Sequence, residues 1–303
     1  MAVYAIAFVL FTLDLARRSS PAPAVAASET VTSARGGTKL LERLATDAPA
    51  DAQPKGPRYL RAAMALTLLG WVLHVAGVAL RGAAAGRVPW ANMFEFSITA
   101  GAVIIGVFLA AQFWQDLRFL GAFITGFVLI VLGIATLNFY VDVVPLPPPL
   151  QSAWLVIHVF VAILGTSFFA LGAGLSAVQL LQGRREDGLT TRPRFLETLP
   201  AADRLENLAY RVIVVGFVFW TFTLIAGAIW AEHAWGRYWG FDTKEVWTFI
   251  IWTIFAGYIH ARATLGWRGS RSAWLAIIGF SAVLFNFGIV NVFFKGLHAY
   301  SGL

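Results

Sequence analysis

Long apolar stretches recur along the whole chain, and that recurrence constrains the fold more than any other feature. Crossing roughly 30 Å of hydrocarbon takes about 20 helical residues. Candidate spans lie at 2–16, 60–80, 97–114, 119–138, 154–181, 207–230, 247–262 and 273–294. Only 13% of the 303 residues are charged and 58% are hydrophobic, a balance far from that of an ordinary soluble domain. The expected fold is therefore all-α: a polytopic membrane helical bundle of about eight transmembrane helices. The span 2–16 is the shortest, and its start at Met1 without a polar lead points to a late start codon or a missing upstream segment. A signal peptide is the competing reading, but no basic region precedes the apolar run, and Asp14, Arg17 and Arg18 follow it.

Basic loops stay on the cytoplasmic side, so orientation follows from the 23 Lys and Arg. All but Arg81, Arg87, Arg237, Lys244 and Lys295 fall in the stretches 17–61, 115–118, 182–211 and 262–271. Both N-terminus and C-terminus are expected outside. The net charge of +7 reflects this topology, and no nucleic-acid partner is implied. Cysteine is absent, which excludes disulfides, iron–sulfur ligation, a CxxC redox pair and any thiol of the chain's own for attaching haem.

Residues 17–59, rich in Ala, Pro, Ser and Thr, read as a flexible cytoplasmic loop. A second polar stretch, 183–200, links two long spans on the same side, while the run Val144-Pro-Leu-Pro-Pro-Pro149 suits a rigid segment at the outer interface. Residues 1–16 are a first transmembrane segment, and 60–303 form one helical membrane domain.

Chemistry concentrates in Trp230-Ala-Glu-His-Ala-Trp-Gly-Arg-Tyr-Trp-Gly-Phe-Asp-Thr-Lys-Glu-Val-Trp247, an external loop spanning 230–247. Six of the 12 Trp lie between Trp220 and Trp252. A general aromatic belt accounts for one or two of them, because belt tryptophans spread over all helix ends. The rest read as a platform for a flat hydrophobic ligand: Trp230, Trp235, Trp239 and Phe241 against its face, with Tyr238, Arg237 or Lys244 toward any acidic groups.

A flat macrocycle that is haem also needs axial ligands, and neutral imidazole is the usual donor. Of five His, His158 begins one span at its outer end and His298 follows the outer end of the last, so the two sit at one level and supply the parts of a bis-His site. His260 lies near the cytoplasmic end of the seventh span, where an ionisable residue is a functional candidate. His74 sits about 21 Å into its own span at 1.5 Å per residue, too far from the level of His260 to share an iron; a buried hydrogen-bonded role is expected for it. His233, beside Glu232, reads as a solvated histidine.

The pattern Trp-Gly-x-Tyr-Trp-x-x-Asp-x-Lys-Glu is similar to the WWD signature of haem-handling proteins. Leu150-Gln-Ser-x-Trp-Leu-x-Ile-His158-Val, Gly296-Leu-His298-x-Tyr300 and Arg87-Val-Pro-Trp-Ala-Asn-Met-Phe-Glu95 resemble the CcsA/ResC-type subunit of the system II cytochrome c synthetase from about Arg61 onward. Phe241 stands where that family often has Trp, and Thr243 where Pro is common. The resemblance implies that His158 and His298 are the external ligands to haem b and catalytic in its transfer, with Trp230, Trp235, Tyr238, Trp239, Phe241, Asp242, Lys244 and Glu245 around the ring. It makes His260 the ligand of an inner site. It implies a bacterial plasma membrane with the haem site on the outer face, haem delivery across that membrane and attachment to apocytochrome c CxxCH segments. A ResB-type membrane subunit and thioredoxin-like thiol reductants are the implied partners, and any lyase activity belongs to the complex. The alternative is a haem exporter or carrier serving a separate lyase. A b-type haem quinol oxidoreductase would need two stacked His pairs, which five His do not supply.

Overall fold

The computed structural model describes residues 1–19, 58–191 and 193–298; most of the expected 17–59 loop, and Tyr300, lie outside them. Among the described residues there is no strand, and eight long helices follow one another: α1 Ala2–Arg18, α2 Arg58–Ala85, α3 Met93–Ala111, α4 Gly121–Asn138, α5 Ala153–Glu186, α6 Ala202–Trp235, α7 Thr243–Thr264 and α8 Ser270–Phe285. The chain is thus a polytopic helical bundle, as expected. Among the described residues six helical segments are long and apolar enough to cross a membrane, the last being α8 continued through a π-helical turn to Phe293. Of the other two, α1 has only 17 residues, and α7 is diluted by its Thr, Trp, Tyr and His residues. Successive helices run in opposite directions, so one end of the bundle gathers most of the basic residues and the other gathers the loops 86–92, 139–152 and 236–242.

The central pair is α5 with α6, whose backbones approach closely because glycine faces the partner helix. A Cβ on Gly172 would lie 2.4 Å from Ile213, and one on Gly216 would lie 2.9 Å from Phe169. The stacked rings of Phe169 and Phe255, with centroids 3.6 Å apart, tie α5 to α7. On the far side, α1 packs against α2 and α4, with the Phe11 ring over Gly121. Most of α2 stays exposed through Leu68, Leu69, Val72, Leu73 and Leu80, a surface suited to lipid and costly in water.

Each end is braced by buried charge. At the basic-rich end Glu206 of α6 pairs with Arg262 of α7 at 2.7 Å and accepts from the Gly269 N–H at 2.8 Å. At the basic-poor end the fully buried Glu95 takes Arg81 at 3.0 Å and Arg87 at 2.6 Å. Those guanidinium groups also donate to the Val141 and Val144 carbonyls, so one carboxylate gathers two connecting loops. Asn92 caps α3 by accepting from the Glu95 N–H, which fixes Trp90 and Ala91 at the mouth of the cavity described next.

Candidate functional site

The aromatic segment is more helical than expected of an external loop. Helix α6 continues through Trp230 to Trp235 and ends at Gly236, whose φ of 68° is a left-handed cap that favours glycine. Irregular backbone covers only 236–242. Asp242 then starts α7 with a capping box: its carboxylate accepts from the Lys244 N–H, and Glu245 reaches back to the Asp242 N–H. Glu245 also accepts from the Gly240 N–H at 2.8 Å and from Arg237 at 3.2 Å, so its carboxylate is engaged within the loop. Phe241 is held at φ 57° and is 79% exposed.

His158 and His298 line the same cavity. The Nδ1 of His158 lies 3.0 Å from the Thr223 carbonyl. A carbonyl only accepts, so Nδ1 carries the proton and Nε2 keeps its lone pair. Glycine makes this contact possible: a Cβ at Gly227 would lie 2.8 Å from the imidazole Cε1. The Nδ1 of His298 lies 3.1 Å from Asp242 Oδ1, which fixes the second ring the same way. The other oxygen of Asp242 accepts from the Leu297 N–H at 2.7 Å, and at Gly296 a Cβ would lie 2.4 Å from it. The hydrogen bond from His298 is the main reason that the Asp242 carboxyl is held well below the usual carboxylate range, against the opposing effect of burial; the Lys244 and Leu297 N–H groups add to it.

Trp230 joins the two histidines. Its indole stacks on His158 with centroids 5.8 Å apart at 16° and meets His298 edge-on at 5.4 Å. Trp235 packs edge-on against both Trp230 and His298. The cavity, mouth included, encloses about 1240 Å³ of space free of atoms, and its walls include Trp90, Phe96, Leu150 and Phe287. It also reaches Thr166, about 12 Å below His158 along α5 at 1.5 Å per residue.

One rim is polar. Lys244 donates to Asn291 Oδ1 and makes no ion pair among the described residues. Asn286 donates to Thr248 at 3.3 Å, while its own Oδ1 is buried without a partner. Asn286 opens and Asn291 follows a π-helical turn, Asn286–Val290, at the end of α8, a distortion frequent at functional sites.

A family model described as cytochrome C assembly protein matches residues 90–298, the stretch that builds this cavity. The chain belongs to that family. It is of the CcsA type: it is 34% identical over 256 residues to the cytochrome c biogenesis protein CcsA of Guillardia theta, covering 78% of this chain and 84% of that one. Cyanobacterial proteins of the same description are similar, from Microcystis aeruginosa at 34% identity (71% and 80% covered) and from Synechocystis at 32% (71% and 80%). Its role is cytochrome c biogenesis, which involves haem and the handling of apocytochrome c.

Within this CcsA-type bundle, His158, His298, Trp230 and Lys244 come together on one cavity. Tyr238, Trp239 and Glu245 line a smaller one that shares His158, His298 and Lys244. Phe241 lines neither. His260 is exposed on α7, and no hydrogen bond to its ring is found among the described residues. His74 is half-buried, with its Nδ1 3.3 Å from the Tyr4 hydroxyl, and His233 lies at the surface, bonded to the Ile229 carbonyl. Sequence reading missed Trp90, Phe96, Phe287 and the Asn286–Asn291 rim. The matching Arg87 to Glu95 stretch signalled the first region, whereas nothing local marked the others.

Proposed function

We propose that the chain holds haem b at the outer membrane face between His158 and His298 and presents it for covalent attachment to apocytochrome c. The observation that carries this reading is the pair of imidazoles that come from positions far apart in the CcsA-type region, His158 within it and His298 at its end. Both line one cavity, and each is fixed through Nδ1 so that Nε2 remains the metal donor. A carboxylate or carbonyl behind a ligating histidine sets its tautomer and raises its basicity.

The donor set suits haem in other respects. Trp230 and the apolar walls match a porphyrin face, and aromatic packing favours such burial. Lys244 is a cation on the cavity wall without a carboxylate partner among the described residues, and buried charge is costly until it is paired. Lys244 would be the residue to meet an acidic propionate group of haem. Trp235 and Asp242 act from behind the ligands, and Glu245 holds the loop. Tyr238 and Trp239 belong to the neighbouring smaller cavity, and Phe241 offers an exposed ring to an incoming partner.

In thioether formation each thiol of a CxxCH segment adds across one vinyl group, sulfur to one carbon and the proton to the other, with no net oxidation. The chain has no cysteine, so both thiols come from the apocytochrome and must arrive reduced, which is the place of a thioredoxin-like partner. What the protein contributes is proximity and orientation. His260, whose ring has no hydrogen-bond partner among the described residues, serves an inner site completed by a ResB-type subunit.

Co-expression with that subunit and one reporter cytochrome c, scored for covalent haem, tests the reading. Covalent haem on the reporter is the expected result. Haem that co-purifies with the complex but reaches the reporter only when a separate lyase is added would instead mark an exporter.

A further inference from the structure

We propose that the groove between α3, α5 and α6 at the basic-rich end binds an anionic phospholipid, with the lipid phosphate on Arg211. The inference is independent of the haem reading. The groove encloses about 810 Å³ with its mouth, and Val107, Trp114, Phe168, Leu208, Arg211 and Val215 are among the residues that line it. Apart from Arg211 and Gln115 its lining side chains are apolar. It runs lengthwise, since Leu208 and Val215 lie about 10 Å apart along α6 at 1.5 Å per residue. That shape suits an acyl chain lying between helices.

Charge selects the head group. Arg211 stands about 13 Å along α6 from its start at Ala202. It is exposed and makes no ion pair among the described residues. An arginine at such a depth lays its stem along apolar surface and carries its charge toward the interface, where its guanidinium can meet a phosphate with two parallel hydrogen bonds. Arg204 lies on the same face of α6 two turns nearer the cytoplasm, likewise exposed and without an ion pair among the described residues. The acidic residue between the lining residues Gln115 and Leu117, Asp116, is already paired with Arg118 at 2.5 Å. Basic pockets between transmembrane helices on the cytoplasmic side take anionic head groups. Trp114, exposed just past the end of α3, stands where an interfacial indole anchors to that level.

Haem fits this groove less well. Its propionates could also meet Arg211, but no His, Met or Tyr is among the lining residues, so the iron would find no axial side chain there. A zwitterionic lipid could fill the apolar part equally, yet its head group brings a cation of its own beside Arg211 and Arg204.

The test uses the purified full chain in phosphatidylcholine nanodiscs that contain a phosphatidylglycerol with a diazirine on its acyl chain, with labelled peptides mapped by mass spectrometry. Label is expected on α3 and α6 around Val107 and Val215. Unlabelled dioleoyl phosphatidylglycerol should remove it, while an equal dose of dioleoyl phosphatidylcholine should not. Arg211→Gln should weaken that competition on the order of tenfold, the effect of losing a hydrogen bond to a charged group. Arg211→Lys should keep part of it, and Arg184→Gln, which removes the same charge elsewhere at that end, should change nothing. Label spread evenly over the lipid-facing helices, or removed equally by phosphatidylcholine, would overturn the proposal. Displacement by equimolar haemin would overturn it too and mark the groove as a haem port. The wild-type map and its competition decide, so a variant that fails to fold does not leave the question open.

Discussion

The two ends of the bundle treat histidine differently. At the basic-poor end His158 and His298 each have Nδ1 committed to an acceptor, Thr223 O and Asp242 Oδ1, and both line one cavity with Trp230 between them. At the basic-rich end the buried polar groups are spent on one another in the Glu206–Arg262 brace, and His260 faces outward. A histidine becomes a ligand candidate when its second nitrogen is fixed and an opposing donor stands at its level. The first end meets both conditions within one chain, and the second meets neither.

The sharpest way to break this contrast is to remove the complete pair. His158→Ala or His298→Ala should lower covalent haem on a reporter cytochrome by more than about a hundredfold, beyond what outer-shell changes typically do, and added imidazole should partly restore it. Wild-type maturation by both variants without imidazole would end the axial assignment. The opposite end is tested by His260→Ala, whose haem spectrum should differ from wild type only in the complex with the ResB-type partner; an unchanged complex would make His260 structural.

Smaller effects sharpen the role of what stands behind the ligands. Asp242→Asn should reduce haem retention about tenfold, near the lower bound for outer-shell partners. Because the Asp242 carboxyl is held below its ordinary value, its support for His298 is fully present above that value and is lost as the pH falls through the depressed one. This residue should therefore leave haem retention flat from pH 7 down to about 5, and a loss in that interval that vanishes in Asp242→Asn would contradict the assignment. Gly227→Ala should cost retention a few-fold by crowding His158, read by haem content at equal protein. No change is expected for Trp114→Ala, whose indole is 56% exposed. Trp71 makes a poor control, since its indole N–H donates to the Ala102 carbonyl inside the bundle.

Much of this molecule follows from composition and spacing. Hydrocarbon forces long uninterrupted apolar helices, so all eight helices are readable in the sequence, with the ends least certain: α6 runs to Trp235 because its cap is Gly236 and not the first polar residue. The unusual density of Trp around 230–252 and the positions of His158 and His298 marked the candidate site, since neither is common inside a membrane. What the tertiary structure alone decided is how those residues are used. Whether Asp242 meets a ligand or supports one depends on the chain beyond α8 bringing His298 to within 3.1 Å of it, and the room for His158 depends on a glycine on another helix. The separation of Trp230, on the cavity wall, from the exposed Phe241 likewise arises from where α6 ends. Partners 56 and 65 residues apart leave no periodic trace along the chain, because the distances that matter are set by packing between helices and not by spacing within one.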